Sequence, residues 1–445
     1  MRPSAGANGS TLVRGGAGLF AGRPAYKWFD AVYAHTGLET THLECNGVDV
    51  PPFVLPLSAQ PTQCGSPGVP ATPYVDLFDP GFRFPRNLKI AAGVDRRLAG
   101  DVVATVDLLY TRGLEQFFLT DVNLSRSLPA AVGEGGRAMY GTVGGGGVAT
   151  PRRQSAAFGR VLRVSNARGD RAVSLSGQLQ KRFAGGTEIA AAYAYTSSRD
   201  RFSSSADAAD ADLGQVPLDG TLDRRRLGPP AWSVPHKVTV VGTMNLPGGF
   251  RLGLFYTGVS GRGYTYVVEG DANADGFGSP LDFSGGLNDV VYVPRNPVPS
   301  GDVDLVLPDS AGGFGPAPAA EYARLAQLIA GEGCLREARG HLASRNSCRN
   351  PWSNRTSARL TKLIPVGRSR SLELMLDAFN LLHLLHDDWG LVREAGGGNQ
   401  VSLLRLVGYD AANARGVYQL LPVQRDAIAS AESRRRLQLG TRFVF

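Results

Sequence analysis

The segment RRRLQLGTRFVF (residues 434–445) alternates between apolar and polar side chains along its length. Successive side chains of a β-strand point to opposite faces, so a repeat of two residues indicates a strand. One face of this strand is apolar and consists of Leu437, Leu439, Thr441, Phe443 and Phe445. The other face is more polar and consists of Gln438, Gly440, Arg442 and Val444. We therefore expect one face to be covered by apolar material and the other to be wet.

Four pairs of segments with the same alternation precede this strand, and each pair is joined by a short turn that contains glycine. Such pairs predict β-hairpins. The pairs are 88–98 with 101–112, 172–183 with 187–198, 236–246 with 250–260, and 356–364 with 371–382. Their segments are near the length of about nine to eleven residues that a tilted strand needs to cross a bilayer. With a first strand at 11–22 and a last one at 436–445, the sequence predicts about ten strands.

Long irregular stretches separate the hairpins, and all of them fall at the end of the strands opposite the short turns. They are 23–86, 113–170, 199–233, 261–352 and 383–433. Loops of this length are uncommon inside compact soluble domains. We expect an extra strand at 158–166, and either a short helix or coil at 320–333.

Composition and motifs exclude several classes of protein. Charged residues make up 19% of the 445 residues, below the usual ~25% of globular domains, and glycine is abundant at 57 residues. The net charge of +8 comes from scattered arginines without zinc-finger spacing or an aromatic–basic cluster, which argues against nucleic-acid binding. No apolar run of about 18 residues predicts a transmembrane helix, and residues 1–16 lack the apolar core of a signal peptide. No nucleophile elbow or HExxH motif occurs, so we do not expect an enzyme.

Together these features predict an all-β fold, a transmembrane antiparallel β-barrel with long extracellular loops. Bacterial outer-membrane barrels have an even number of strands, short periplasmic turns and long outer loops. A closed barrel leaves no unpaired sheet edge in lipid. Aromatic girdles are expected from residues near strand ends, which are Tyr110, Tyr193, Tyr195, Phe250, Phe255, Tyr256 and Phe379. We expect polar residues to line the lumen, among them Glu188, Glu373, Asp377 and Arg442. A soluble β-sandwich or β-solenoid is the alternative.

Several longer segments resemble the barrel of TonB-dependent receptors, and most of all the Oar-like subgroup, whose members often carry a carboxypeptidase-regulatory-like domain. The likeness runs in order along nearly the whole chain. It rests on residues 10–37, 78–113, 271–294, 350–366 and 376–390, with FRFPRNLK (82–89) and FNLL followed by WG (379–390) the most specific pieces.

The resemblance implies a barrel of about 22 strands around a plug, and an N-terminal TonB box. Residues 1–445 contain neither plug nor box and about half of those strands, so we expect the C-terminal part of such a barrel, either a fragment or the product of a shortened gene. The implied function is ligand recognition and uptake across the outer membrane. A structural or adhesion barrel and a soluble calcium-binding β protein are the alternatives.

Partners follow from the same expectations. These are outer-membrane lipid, an unidentified ligand, and an N-terminal half that carries the plug and reaches TonB. Arg434–Arg436 either meet lipopolysaccharide phosphates or are simply solvated. The barrel-assembly machinery is expected to recognise the terminal aromatic residues Phe443 and Phe445.

The segment DANADGFGSPLD (271–282) has the spacing of a calcium-binding loop. Ca²⁺ takes six to eight oxygen ligands, and alternating Asp and Asn on a tight turn supply them. The candidate ligands are Asp271, Asn273, Asp275, Asp282 and Asp289, with Asn288 nearby. An Asx- and glycine-rich turn that needs no metal is the alternative.

Two further groups of residues have metal or redox interpretations. The spacing of Cys45 with Cys64 and of Cys334 with Cys348 favours two loop-closing disulfides over a zinc site, with free thiols as the alternative. His383 and His386, followed by Asp387 and Asp388, either bind zinc or form a polar strand end.

Overall fold

Ten long strands form one antiparallel sheet in the computed structural model of the chain. The structure describes residues 10–23, 26–38, 50–65, 72–125, 128–203, 213–278, 287–367, 370–396, 399–424 and 427–445. The long strands are β1 (Thr11–Ala21), β2 (Arg86–Arg97), β3 (Val102–Asp121), β4 (Arg171–Arg182), β5 (Glu188–Arg199), β6 (His236–Leu246), β7 (Phe250–Val259), β8 (Ser353–Pro365), β9 (Ser371–Phe379) and β10 (Arg436–Val444). Each is hydrogen-bonded to its neighbours in chain order, from β1 to β10.

The four predicted hairpins are confirmed, and so are the first and last strands. β2 pairs with β3, β4 with β5, β6 with β7, and β8 with β9. β1 pairs with β2, and β10 with β9. Short turns join the hairpins at what we call the turn end of the sheet, and the long connections meet at the loop end. Within the described residues, β1 and β10 are the two edges of this open sheet.

All four hairpin turns use glycine for the same reason. Gly100, Gly185, Gly248 and Gly367 have φ values of 71°, 86°, 74° and 86°. Residues with a Cβ adopt this left-handed region reluctantly, whereas glycine enters it freely. The turns therefore keep both strands of each hairpin in register right up to the bend.

The register gives the sheet one polar and one apolar face. On the apolar face, Leu439 lies opposite Leu376, and Leu376 lies opposite Leu360. Leu439 is 83% exposed, and Phe445 beyond it is 93% exposed. On the polar face, Gln438 lies opposite Asp377. The strands between the two edges pair their backbones on both sides, and a wide apolar surface stays uncovered, as a strand in lipid requires.

The predicted aromatic residues divide between the two faces. Tyr193, Tyr195 and His236 lie on the apolar face near the loop end, where Tyr193 Oη is 2.8 Å from His236 Nδ1. The apolar face also holds Tyr110, Phe250 and Tyr256. Phe255 and Phe379 do not belong to it, because Phe255 lies opposite Ser357 on the face that includes Asp377. The prediction that these two phenylalanines belong to an aromatic girdle was wrong, because both lie on the polar face of their strands.

The long connections are not irregular coil, as the sequence predicted, but fold together. We call the described residues of 22–85, 113–170, 199–235, 260–352 and 380–435 the cap. Five helices lie in it: α1 (Tyr26–Ala34), α2 (Ala319–Gly331), α3 (Gly333–Glu337), α4 (Leu381–Leu385) and α5 (Ser430–Ser433). Of the two alternatives for residues 320–333, helix or coil, the structure has the helix, as α2. Within the described residues no helix is long and apolar enough to cross a membrane.

The cap also contains the short strands of the molecule. They are Val75–Phe78, Leu128–Ala131, Arg137–Met139, Gly141–Val143, Ala149–Pro151, Val161–Ala167, Gly220–Thr221, Arg224–Arg225, Gly263–Glu269, Tyr292–Val293, Asp304–Pro308, Phe314–Pro316, His341–Leu342, Cys348–Arg349, Arg393–Glu394, Gln400–Asp410, Arg415–Leu420 and Ala427–Ile428. The strand predicted at 158–166 is present at Val161–Ala167 and extends the pairing of β3.

A six-stranded mixed sheet organises much of the cap. Its two central strands, Gln400–Asp410 and Arg415–Leu420, pair antiparallel, and Gly263–Glu269 pairs parallel with the first of these. Apolar side chains that are at most 2% exposed pack in the core around it, including Tyr266, Val268, Leu305, Leu325, Ile329, Leu404 and Tyr418. The cap thus has a hydrophobic core of the kind found in water-soluble proteins, which the ten-stranded sheet lacks.

Candidate functional site

Charged side chains of neighbouring strands pair on the polar face of the ten-stranded sheet. Arg14 on β1 bonds Asp95 on β2 and Asp107 on β3. Arg359 on β8 holds Asp377 on β9 with two hydrogen bonds of 2.5 and 2.9 Å. Such bidentate pairs fix both side chains in one orientation. The face is therefore an ordered, charged wall.

All four residues predicted to line a lumen lie on this polar face. Arg442 on β10 is 2.9 Å from Glu373 on β9, and the arginine is 64% exposed. Glu188 on β5 accepts hydrogen bonds from Gln180 and Arg182 on β4. Asp377 belongs to the pair with Arg359. The four residues do not converge on one point but are spread along the wall.

A cavity of about 700 Å³ opens on the polar face at its loop end. Four arginines and one glutamate give its lining a positive charge. The lining residues are Phe255, Thr257, Arg355, Ser357, Phe379, Asn380, Ala431, Glu432, Arg434, Arg435 and Arg436. The guanidinium of Arg436 stacks 4.3 Å from the ring centre of Phe379, and Arg435 is 2.8 Å from Asp387. Sequence patterns missed this cavity, because its lining comes from four segments far apart in the chain.

The position of Arg434–Arg436 bears on the lipopolysaccharide interpretation. All three side chains line the cavity, and Arg436 shares the polar face with Gln438 and Arg442. Lipopolysaccharide would meet the opposite, apolar face of a membrane-spanning sheet. The arrangement favours a role for these arginines on the polar side.

The predicted calcium loop forms a buried cluster in the cap. We call Asp271, Asn273, Asp275, Asn288 and Asp289 the acidic cluster, and each of them is at most 4% exposed. Asp271 accepts hydrogen bonds from the backbone N–H groups of Asp275 at 3.0 Å and Gly276 at 2.7 Å. Asp289 Oδ2 accepts from the backbone N–H of Ala272 at 2.6 Å. The fifth predicted ligand, Asp282, lies outside the described residues.

The asparagines complete the cluster. The Nδ2 groups of Asn273 and Asn288 lie 3.2 and 2.8 Å from Asp275 Oδ2. The backbone carbonyl of Asn288 accepts from the N–H of Leu218, which anchors this residue to another part of the cap. Among the described residues, Asn288 Oδ1 has no hydrogen-bond partner.

Burial and mutual repulsion disfavour the charged carboxylates of the cluster. Burial, and then the charges of Asp275 and Asp289, raise the pKa of Asp271 well above its usual range. Burial also raises the pKa of Asp275, and it raises the pKa of Asp289 to about 7 even though Arg137 opposes the shift. A carboxylate in this environment gains from a nearby positive charge.

A buried ion-pair network adjoins the cluster. Arg137 Nη1 is 3.6 Å from Asp289 Oδ1, and Arg137 Nε is 2.6 Å from Glu134 Oε2. Glu134 Oε1 also accepts from the hydroxyl of Tyr418 and the backbone N–H of Gly416, both at 2.6 Å. The network ties the cluster to the Arg415–Leu420 strand of the cap sheet.

The remaining predicted groups have the following positions. Cys334 and Cys348 form a disulfide that joins α3 to the Cys348–Arg349 strand. Cys64 is also disulfide-bonded, and Cys45 lies outside the described residues. His383 lies in α4, and His386 stacks on Trp389. In the part of the chain that the structure describes, no group of three or more His, Cys, Asp or Glu side chains stands ready to hold a metal ion.

Comparison with protein families identifies the type of fold. The model of the outer membrane beta barrel domain family matches residues 4–385. The structure is similar to the outer membrane transporter YddB from Escherichia coli, with 11% identity and a TM-score of 0.43. The alignment covers 88% of this chain and 37% of that one, so the chain spans well under half the length of this structural neighbour. No curated protein matches the sequence.

Proposed function

The chain belongs to the outer membrane β-barrel domain family, and on that premise we propose that it is part of the wall of a TonB-dependent receptor. In this proposal, the protein recognises a ligand outside the cell and admits it across the outer membrane. We assign it to the Oar-like subgroup on the sequence resemblance, and we propose no catalytic step. Membership of an outer-membrane family is incompatible with the soluble calcium-binding alternative.

The charged residues of the polar face are the strongest support for a passage through which a solute crosses the membrane. A structural barrel needs an apolar outer face, but it does not need ordered ion pairs on several adjacent strands of the inner one. Arg14 with Asp95, and Arg359 with Asp377, are such pairs. The half-exposed Arg442 beside Glu373 would present charge to a passing solute.

The cap and the arginine-lined cavity suggest where a ligand would first bind. Loops 23–86 and 261–352 supply much of the cap, and the cavity lies where the polar face meets the loop end. A solute leaving the cap would meet Arg355 and Arg436 before the paired charges farther along the wall. The positive lining favours a ligand with anionic groups.

Other partners belong to the same proposal. Phe443 and Phe445 at the turn end would be recognised by the barrel-assembly machinery, and the apolar face would contact lipid. A plug and TonB would act through strands and domains that complete the barrel beyond β1 and β10. Outer-membrane lipopolysaccharide would surround the loop end.

A depletion experiment tests uptake while the ligand is still unidentified. Cells of the native host with and without the gene, each with and without functional TonB, are grown in complex medium, and mass spectrometry follows the solutes removed. The proposal predicts a class of solutes whose removal requires both the gene and TonB. No gene-dependent depletion, or depletion that persists without TonB, would contradict it.

A structural or adhesion barrel is the second candidate, and the rigid core of the cap favours it. Tyr266 and Leu404 are 1% exposed each, so the cap is a packed surface of the kind that attachment would use. Cells lacking the gene would then lose surface attachment while solute depletion stayed unchanged. That pair of results would replace uptake with adhesion.

A further inference from the structure

The acidic cluster lies within the cap and contributes no residue to the arginine-lined cavity, so ligand binding there does not explain it. Three carboxylates, those of Asp271, Asp275 and Asp289, are buried together, and Glu134 lies just beyond them. Two guanidinium groups face these four carboxylates. One is that of Arg137, and the other is that of Arg160, which stacks 3.9 Å from the ring centre of Phe277.

Other cations near the cluster are already engaged. Arg153, which approaches Gly276, is 2.6 Å from Asp121 and forms an ion pair with it. When all four carboxylates are ionised, two of their negative charges lack a counter-charge among these groups. Buried charge without a partner is costly, so a bound divalent cation would balance the ionised site.

The Asn288 amide gives an independent indication of a bound ion. Its side chain is fully buried, and its Nδ2 reaches Asp275 Oδ2 at 2.8 Å. Its Oδ1 lacks a hydrogen-bond partner in the part of the chain that the structure describes. Buried amide oxygens are almost always satisfied. Rotating this amide by half a turn would bring the unsatisfied oxygen to the position beside Asp275 that the nitrogen occupies now.

We propose that the acidic cluster binds one calcium ion within the cap. In the structure, the Nδ2 groups of Asn273 and Asn288 donate hydrogen bonds to Asp275 Oδ2. They occupy the space beside this oxygen that a metal ion would need, so the carboxylates are not arranged as metal ligands. With calcium present, both amides turn their oxygens towards the ion, and each carboxylate keeps the backbone hydrogen bond that already orients it. All donors are then oxygens, which suits Ca²⁺.

Calcium would stabilise the cap specifically. The cluster lies between the Gly263–Glu269 strand and the Tyr292–Val293 strand, and Arg137 and Glu134 link it to Tyr418. An ion that binds only the folded cap shifts its equilibrium away from unfolding.

The test uses the full chain refolded in detergent, treated with a chelator and then titrated with CaCl₂. We expect saturable heat at about one ion per chain and an increase in the melting temperature of the cap. MgCl₂ should give a smaller increase, because Mg²⁺ demands a stricter octahedral geometry. No heat and no shift with calcium, or an equal shift with magnesium, would overturn the proposal.

The Asp275→Asn variant separates metal binding from a purely structural role. Asparagine keeps an acceptor for the Phe277 N–H, at 3.0 Å from Asp275 Oδ1, but removes one charge. The new Nδ2 replaces the oxygen that accepts from Asn273 and Asn288, so those two amides must turn their oxygens towards it. We expect the variant to fold in chelator and to lose most of the calcium-induced increase in melting temperature. A calcium response equal to that of the wild type would contradict the proposal.

The matched control is Asp309→Asn, in an exposed turn of the cap. Asp309 Oδ1 likewise accepts two backbone hydrogen bonds, from Ala311 at 2.9 Å and Gly313 at 2.8 Å. It should keep the full calcium response. Should Asp275→Asn fail to fold, terbium luminescence of the wild-type chain replaces it: luminescence abolished by CaCl₂ supports the site, and no terbium signal overturns it.

Discussion

The ten-stranded sheet and the cap are stabilised in opposite ways. In the sheet, Leu437 and Leu439 are 61% and 83% exposed, because only membrane lipid would cover them. In the cap, Val267 and Ile329 are completely buried. The sheet therefore depends on its surroundings for the hydrophobic effect, whereas the cap supplies its own apolar surroundings.

Ion pairs are likewise exposed in the sheet and buried in the cap. Arg442 and Glu373 on the sheet remain partly exposed, whereas Arg137 and Glu134 in the cap are 3% and 1% exposed in their side chains. A wet ion pair is worth little to stability, but a buried one is costly to break. The two regions should therefore respond differently to the same kind of substitution.

The largest effect is expected from Glu134→Ala in the cap. The substitution removes the 2.6 Å carboxylate partner of the buried Arg137, leaving Asp289 at 3.6 Å, and it takes the acceptor from the Tyr418 hydroxyl. We expect the cap to lose about 3–5 kcal/mol of stability, seen as faster hydrogen exchange over 400–420, while the ten strands stay protected. Exchange that accelerates equally in both regions would show that cap and sheet unfold as one unit.

Glu269→Gln is the control for that substitution. Glu269 bonds Arg405 at 2.9 Å in the same cap sheet, but the pair is 27% and 46% exposed. The loss of this ion pair should lower the stability of the cap by less than about 1 kcal/mol.

The next largest effect is expected from Leu439→Arg on the apolar face. An arginine near the middle of the membrane costs a strand about 2–4 kcal/mol. We expect a smaller folded fraction after insertion into lipid vesicles, measured by heat-modifiable gel mobility. The neighbouring Gln438→Arg places the same side chain on the polar face and should fold normally; equal loss in both variants would argue against two distinct faces.

The smallest effect is expected from Arg442→Gln. It breaks the 2.9 Å pair with Glu373 on a wet wall, so stability should fall by less than about 1 kcal/mol. Denaturant unfolding in lipid measures this change. A loss as large as that of Glu134→Ala would mean that the polar face is dry and packed.

The sheet was predictable from sequence because its signal is local. Alternation over ten or more residues defines each strand, and turns such as Gly248–Gly249 mark where the chain reverses. The polarity of the two faces follows from the same alternation. The prediction of a girdle position for Phe255 and Phe379 was wrong because it rested on their aromatic side chains. The alternation of their strands places both on the polar face.

The cap was not predictable for the opposite reason. The Gly263–Glu269 strand is buried on both sides and shows no alternation, and its parallel partner Gln400–Asp410 lies far along the chain. Local patterns cannot indicate such pairings. The acidic cluster was an exception, since the spacing of Asp271, Asn273 and Asp275 is local, but Arg137 and the orphaned Asn288 oxygen appear only in the fold.

Nitroxide scanning along β10 separates the two faces of the sheet in a single experiment. Single cysteines at positions 437 to 443 are spin-labelled in the lipid-reconstituted protein, and collisions with oxygen and with a water-soluble nickel complex are compared. We predict strong oxygen and weak nickel collisions at positions 437, 439, 441 and 443, and the reverse at 438, 440 and 442. Equal exposure to both reagents along the strand would contradict a sheet with one face in lipid and the other in water.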